Sequence, residues 1–468
     1  MQPHPFVGVI MAAGQGTRMK SKTPKVLHKI FDKTMVAHCA NTLVDAGANH
    51  LIVIVGHGRE LVEQEIDSWQ FDGVRISVAV QHDQLGTGHA AKMALPHLAD
   101  SDQTIVVMCG DTPLVRSEAL QVLVKKHHTY ERQLSMFVSQ VADSTGYGRI
   151  IRDSNNRLQR IVEEKDATPE QKQIKEINPG LYCYTRSAFE TSLAKLNNNN
   201  AQNEYYLTDT IEVIYTPDSE TVGDCFGENH EDFLGVNNRV QLAQATKTIQ
   251  NRINHMHMLN GVTMLDPDTT YISMDVTIGP DTIIYPNTTL AGNTHIGEGC
   301  HIGPNSTLQD VSVGDYTTIT TSTATQATIG NETSVGPYAY LRPGTKLGNH
   351  VKIGDFVEIK NATFGDGSKA SHLSYIGDAT IGSDVNLGCG IITVNYDGQH
   401  KHQTVVGDRA FVGCNSNLVA PVTVGQDAYV AAGTTVTKNV EQGALAIGRS
   451  RQEIKPNWAS KSFSKGNA

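Results

Sequence analysis

Hydrophobic positions along the 468-residue chain follow two different periods. In the first half, short apolar runs at Val7–Ile10, Leu51–Val55, Ile105–Met108 and Leu134–Val138 alternate with stretches of helical spacing such as Met35–Ala46 and Ser117–His127. That alternation predicts a three-layer α/β domain around a mainly parallel sheet. Asn238–Met258, rich in Gln, Ala, Val and Ile and free of proline and glycine, predicts one connecting helix. Beyond it, aliphatics recur every sixth residue: Ile272, Ile278, Ile284, Leu290, Ile296, Ile302 and Leu308. The series slips, resumes at Ile329, Val335, Leu341, Leu347, Ile353 and Ile359, and returns at Val406, Val412, Leu418, Val424, Val430 and Val436. A period of six fits neither a helix nor an alternating strand. It fits a triangular coil of three short strands per turn, about 18 residues each, with one aliphatic per side pointing inward. Residues 261–440 then form roughly ten coils stacked about 4.8 Å apart. A conventional sandwich would place turn signals every 8–12 residues or so and would not hold the phase. The chain therefore divides into 1–237, a linker helix 238–260, and 261–468.

Composition sharpens this division. Glycine is ordinary in residues 1–236, with 16, but reaches 23 of the 180 residues in 261–440. Many follow the periodic aliphatic, as in Ile278-Gly279, Ile296-Gly297, Val412-Gly413 and Val424-Gly425, and read as corners whose backbone angles other residues resist. Aromatics are only 6%, as a narrow aliphatic core requires. With 38 basic against 48 acidic residues the net charge is −10, so no global positive field exists for a nucleic-acid partner, and any phosphate must be bound locally. Seven cysteines without CxxC spacing argue against a disulfide framework or zinc ribbon and point to a reducing cytoplasm. The apolar run Phe6–Ala13 lacks a basic leader, and nowhere do 18 apolar residues follow one another, so neither a signal peptide nor a membrane span is expected.

The first strand runs into Met11-Ala12-Ala13-Gly14-Gln15-Gly16-Thr17-Arg18-Met19, followed by Pro24-Lys25. Small residues after a strand let backbone N–H groups approach a phosphate, which Arg18 and Lys25 can neutralise. The loop lacks the ending of a P-loop and the third glycine of a dinucleotide fingerprint, which disfavours kinases and dehydrogenases. Its whole string resembles the signature of sugar-1-phosphate nucleotidyltransferases, whose fold is Rossmann-like. Cys109-Gly110-Asp111 follows the Ile105 strand, where parallel sheets place ligands. The resemblance implies that Asp111 and the distant Asn237 hold Mg²⁺, and that Gln81, Gly86 and Thr87 read uracil. It further implies that Gly148, Glu163 and Asn178 contact the sugar, with Met11, Ala12, Ala13, Gly14 and Lys25 around the nucleotide. The implied reaction is attack of a sugar 1-phosphate on the α-phosphorus of UTP, catalysed mainly by positioning and by charge neutralisation from Arg18 and Lys25.

A pure repeat needs no histidine, yet His372 lies inside the periodic region, with Arg342 and Lys360 two coils and about two-thirds of a coil upstream and Tyr375 and Asn386 downstream. Two cations beside a neutral imidazole can clamp a phosphate while the base takes a proton from an amine. The repeat resembles left-handed hexapeptide-repeat β-helices. Together with the first half it resembles, from about residue 6 to 450, bifunctional enzymes joining an N-acetylglucosamine-1-phosphate uridyltransferase to a glucosamine-1-phosphate acetyltransferase. The resemblance implies that His372 is the general base for acetyl transfer from acetyl-CoA and that Arg342, Lys360, Tyr375 and Asn386 hold the sugar phosphate. Cys389, Asn395, Tyr396, Cys414, Ala432 and Arg449 would then contact acetyl-CoA. It also implies a homotrimer with acetyl-transfer sites assembled between neighbouring β-helices, and a role in peptidoglycan and lipopolysaccharide precursors. Cys109, Cys389 and Cys414 stand where that family has Tyr, Ala and Ser, and Gln15 replaces a common Lys. Backbone contacts survive these changes, whereas the resemblance alone does not imply side-chain contacts at positions 15, 109 and 414.

The break in period between Leu387 and Val406 predicts a loop, Asn395–His402, expelled from the coil. Its His400-x-His402 pair suggests a metal, but with no other ligands nearby a solvated loop is preferred. The polar, basic tail Lys455–Ala468 reads either as disordered or as a cover over the acetyl-CoA site. Two rival functions remain: a sugar-1-phosphate nucleotidyltransferase whose β-helix is only regulatory, and a catalytically silent scaffold.

Overall fold

In a computed structural model of the full chain, residues 4–217, 219–227 and 230–459 are described. The tail read from sequence at Lys455–Ala468 lies outside them from residue 460 onward. Residue contacts divide the chain into two compact units, Met1–Ile249 and Gln250–Ala468. The division falls inside the expected connecting helix, Arg239–Leu259. Its second half belongs with the coils because Gln250 Nε2 and Asn254 Nδ2 donate to the Thr270 carbonyl at 2.6 and 3.0 Å.

In the first unit, strands β1 (Phe6–Ala12), β2 (Ala48–Val55), β3 (Arg75–Val80), β4 (Thr104–Cys109) and β5 (Leu134–Gln140) include all four expected runs. They are joined by β6 (Gly148–Arg152), β7 (Leu158–Val162), β8 (Glu176–Asn178), β9 (Leu181–Thr185) and β10 (Val222–Phe226). The order is β3-β2-β1-β4-β9-β5-β8-β6-β7, with β10 beside β5. The sheet is mixed. The β3-β2-β1-β4 half is parallel, and β9 opens an antiparallel extension that carries the sugar-side residues. Alternate residues of β1 enter opposite cores, Val7 and Val9 on one face, Phe6, Ile10 and Ala12 on the other, so helices cover both faces.

The second unit is the expected coil. Strands of mostly two or three residues stack in register, Tyr271 on Thr289 and Ile284 on Ile302. One wall contains eleven strands. The inward column is buried, Ile284, Leu290, Ile302 and Leu308 completely, and each such side chain contributes about 1.5–3 kcal/mol. Ile278, near the first coil, is the exception and is half-buried. The slip after Leu308 resolves into sides of five residues, with Val313, Ala324 and Ile329 inward. Among the described residues, no helix is long and apolar enough to cross a membrane.

The corner expectation for glycine needs correction. Gly279, Gly297, Gly413 and Gly425 do not adopt left-handed angles; a Cβ on Gly297 would instead lie 2.3 Å from Asp315 Oδ1 on the next coil. Close approach of the adjacent coil excludes a side chain there. The left-handed corners are often filled by other residues, including Asn305, Tyr338, Phe356 and Leu373.

Candidate active sites

The nucleotide-side residues converge at the carboxyl ends of β1 and β4. Lys25 Nζ donates to Asp111 Oδ2 and to Asn237 Oδ1, the latter at 2.6 Å, and Arg18 Nη2 donates to Asn237 Oδ1 at 2.8 Å. Gly16 makes this possible. Its φ is +62°, and a Cβ there would sit 2.4 Å from Lys25 Cβ. Met11, Gly14, Arg18, Lys25, Asp111 and Asn237 line a cavity of about 270 Å³. Around it, Gly110 N donates to Met11 O at 3.0 Å, and Ala13 O accepts from Gln84 Nε2 at 3.0 Å, following Ala12 at the end of β1. Two side-chain oxygens, one anionic, that share a single ammonium form a hard donor set suited equally to a divalent cation.

A second cavity of about 220 Å³ opens beside it, sharing Met11, Asp111 and Asn237 and adding Thr87, Cys109, Gly148, Glu163 and Asn178. Burial pushes the Glu163 carboxyl above its usual range, although Thr208 Oγ1 donates to it at 3.0 Å. Burial, with Asp111 adding to it, pushes the Cys109 thiol up to about 12, so it stays neutral. Asn178 is fixed by Tyr182 OH at 2.7 Å and Gly180 N at 2.9 Å. Gln81 lines a third hollow together with Gln15, and its Nε2 donates to Gly86 O at 3.1 Å.

The Gly148 loop is held from behind. Arg149, with a side chain 2% exposed, donates to the Tyr147 carbonyl and, at 2.6 Å, to Glu164 Oε2, which also accepts from Gly146 N at 3.0 Å. Neighbouring acids thus divide the work, Glu163 facing the cavity and Glu164 clamping the loop. Sequence reasoning missed the clamp, Thr208 and Tyr147.

In the coil, Arg342, Lys360 and Tyr375 share one sheet. Leu341 pairs with Ile359, Lys360 with Gly377, and Glu358 with Tyr375. Arg342 Nη1 donates to Glu358 Oε1 at 2.6 Å. The expelled loop folds back as a small hairpin, bridging Tyr396 to Lys401, with His402 Nε2 2.7 Å from Asp397 Oδ2. Lys401, with Arg342 beyond it, pushes the Lys360 ammonium below the usual lysine range. Three crowded cations form a site for a polyanion. Asn386 lies on the other sheet, in register with Lys369 and Phe411, and is not brought to Tyr375's wall.

His372 stands at the corner between these walls. Its Nδ1 lies 2.6 Å from Asp355 Oδ1, the residue stacked beneath it one coil earlier. A carboxylate only accepts, so Nδ1 carries a proton, and in the neutral ring Nε2 then keeps a free lone pair. This is the constellation of an oriented general base. Asp355 was not anticipated, yet it lies 17 residues upstream, one coil, and the repeat itself pointed to it. Above His372, Cys389, Cys414 and Ala432 continue the column; Arg449 Nη1 donates to the Ala432 carbonyl. Asn395 Nδ2 donates to Asp378 Oδ2 at 2.6 Å, and Tyr396 OH to Gly398 O at 2.6 Å.

These two units define a nucleotidyltransferase joined to a hexapeptide-repeat transferase. The nucleotidyl transferase family matches residues 7–230, the bacterial transferase hexapeptide family matches 275–310 and 326–361, and the hexapeptide repeat of succinyl-transferase matches 403–438. The chain is 50% identical over 456 residues to the bifunctional protein GlmU of Clostridioides difficile (strain 630), covering 97% of this chain and 98% of that one. It is 49% identical over 461 residues to the bifunctional protein GlmU of Geobacillus sp. (strain WCH70), covering 98% and 99%. The chain belongs to the bifunctional GlmU family. It is a bifunctional transferase of UDP-N-acetylglucosamine synthesis, using UTP in its nucleotidyltransferase half and acetyl-CoA in its acetyltransferase half.

Proposed function

We propose that residues 261–468 acetylate glucosamine 1-phosphate and residues 1–237 uridylylate the product, with 238–260 as the linker. In acetyl transfer, Arg342, Lys360 and Tyr375 hold the sugar phosphate, Asn386 contacts the sugar from a different wall, and the 2-amine attacks the thioester carbonyl carbon of acetyl-CoA. His372 Nε2 takes the amine proton as the C–S bond breaks and coenzyme A leaves as the thiolate. Acetyl-CoA lies along Cys389, Asn395, Tyr396, Cys414, Ala432 and Arg449.

In uridylyl transfer, a phosphate oxygen of N-acetylglucosamine 1-phosphate attacks the α-phosphorus of UTP, and the bond to pyrophosphate breaks. That oxygen is already ionised, so no base is needed, and Arg18 and Lys25 neutralise the accumulating charge. Asp111 and Asn237 would hold Mg²⁺, which neutralises phosphate charge when bound. Glu163, Asn178 and Gly148 orient the sugar.

The observation that carries the bifunctional reading over a regulatory β-helix is the Asp355–His372 pair beside the Arg342, Lys360 and Lys401 cations. A regulatory module needs neither. Thiol release from acetyl-CoA and glucosamine 1-phosphate tests it. His372→Ala should abolish that release and spare pyrophosphate release from UTP and N-acetylglucosamine 1-phosphate, and Asp111→Ala should do the reverse. Well-folded protein that releases no thiol refutes the reading.

The protein works in the cytoplasm as a homotrimer. Support comes from Tyr338, Phe356 and Leu373, which follow one another up a corner of the coil, each 57–59% exposed, with the first two rings stacked at 5.3 Å. Such an apolar strip suits side-by-side packing of coils. Sedimentation equilibrium should give three times the chain mass, and a monomer refutes this.

A further inference from the structure

Cys389 and Cys414 are free thiols stacked on adjacent coils. Leu387 pairs with Val412, and two residues further on Cys389 faces Cys414; Ala370 pairs with Leu387, which sets His372 directly beneath Cys389. The ladder runs unbroken through both positions, with Asn415 N donating to Cys389 O at 2.7 Å and Gly433 N to Cys414 O at 2.8 Å. Adjacent strands of a sheet lie about 4.8 Å apart, inside the Cα separation of about 4.4–6.8 Å that a disulfide spans. Side chains at matched positions of neighbouring coils touch elsewhere on this wall, as the Phe411 and Tyr429 rings do at 4.6 Å. Both thiols are accessible, Cys414 exposed and Cys389 half-buried, whereas Cys39, Cys183, Cys225 and Cys300 are buried.

We propose that Cys389 and Cys414 form an oxidation site, at which a peroxide joins them in a cross-coil disulfide that closes the acetyl-CoA column beside His372 and reversibly stops acetyl transfer. The proposal rests on the reading of His372 and its column as the acetyl-transfer site. One thiolate attacks a peroxide oxygen, giving a sulfenic acid and water. The second sulfur then attacks the first, and a second water leaves. Two thiols and one hydrogen peroxide thus become a disulfide and two waters, with two electrons passing from sulfur to oxygen.

The full-length protein is treated with hydrogen peroxide, digested without reduction and mapped by mass spectrometry, while both activities are followed by product detection on the same sample. A Cys389–Cys414 peptide pair should appear in step with the loss of acetyl transfer, down to background at full crosslinking. Uridylyl transfer should persist, and dithiothreitol should restore acetylation. Cys389→Ala and Cys414→Ser, each compared with its own reduced form, should lose the peroxide response whatever their basal rates. A reduced wild type that never acetylates refutes the reading of the site itself. An active reduced protein overturns the disulfide if it forms no such peptide, stays active when fully crosslinked, or is inactivated equally in both variants.

Discussion

Replacing Asp355 by Asn keeps the side-chain volume and removes the charge that selects the His372 tautomer. The pair is open to water, His372 being 59% exposed and Asp355 38%, so direct attraction is screened and the effect must come from orientation. Freed from Asp355, the imidazole divides between two tautomers, one of which has no lone pair at Nε2, costing about twofold to fourfold. It also explores about six staggered ring orientations instead of one, costing up to about sixfold. Together these predict a fall in acetyl-transfer kcat of up to about twelvefold to twenty-fourfold, below the ~10²–10⁴ that a base supplies in full. Both KM values should stay within about twofold, because Asp355 does not hold substrate. Steady-state acetylation measures this, with uridylyl transfer by the same sample reporting intact folding. An unchanged kcat, or a rise in KM at constant kcat, refutes the role of Asp355. The hydrogen bond from His372 also holds the Asp355 carboxyl below the usual carboxylate range, so its support is present above that range and is lost only as pH falls through its lowered value.

Gly16→Ala should displace Lys25 from Asp111 and Asn237 and lower uridylyl-transfer kcat by about tenfold to a hundredfold, leaving acetylation intact; equal loss of both activities would contradict this. Glu164→Gln removes the anchor of Arg149 and of the Gly146 amide, so KM for N-acetylglucosamine 1-phosphate should rise several-fold with little change in KM for UTP. Burial, reinforced by Glu212, Glu163 and Asp166, pushes Asp209 up to about 6. The unfolded chain releases this proton near pH 4, so stability present below that is lost as pH rises through about 6. Asp209→Asn should therefore raise the unfolding free energy measured in urea at pH 8, by ~1 kcal/mol once screening of this half-buried group is allowed for, and leave it unchanged at pH 4.

What the sequence displayed and what it hid have physical reasons. A core one aliphatic wide must repeat with its wall, so the coil showed itself in the spacing of Ile284, Leu290, Ile296 and Ile302. The loop Gly14–Arg18 showed itself because close phosphate approach restricts residue type. The antiparallel β9, β8, β6 and β7 were missed because nothing in a strand's own composition states its neighbour's direction. Lys401 was hidden because it sits in the one segment that leaves the period, where spacing ceases to predict position.

Irregularity in the coil marks its chemistry. Where the wall is regular its strands are two or three residues long, and side chains of successive coils repeat one another. At Glu358–Phe364 and Tyr375–Ile381 they lengthen to seven, with pairing that continues on both sides of the left-handed corners at Asn361 and Asp378. Those two strands carry Lys360 and Tyr375, and the expelled loop that brings Lys401 follows within the next coil. A uniform repeat presents the same surface on every coil and cannot single out one place for a substrate. Pairing carried past a corner and a loop ejected at an adjacent level break that degeneracy at the height of His372, while the inward column, Ile359, Phe364, Ile376 and Ile381, stays buried and keeps the walls in register. Moving Lys360 by one position would turn it to the other face of its strand, away from Lys401 and Arg342, so the outward positions of these strands serve activity while the inward column serves stability.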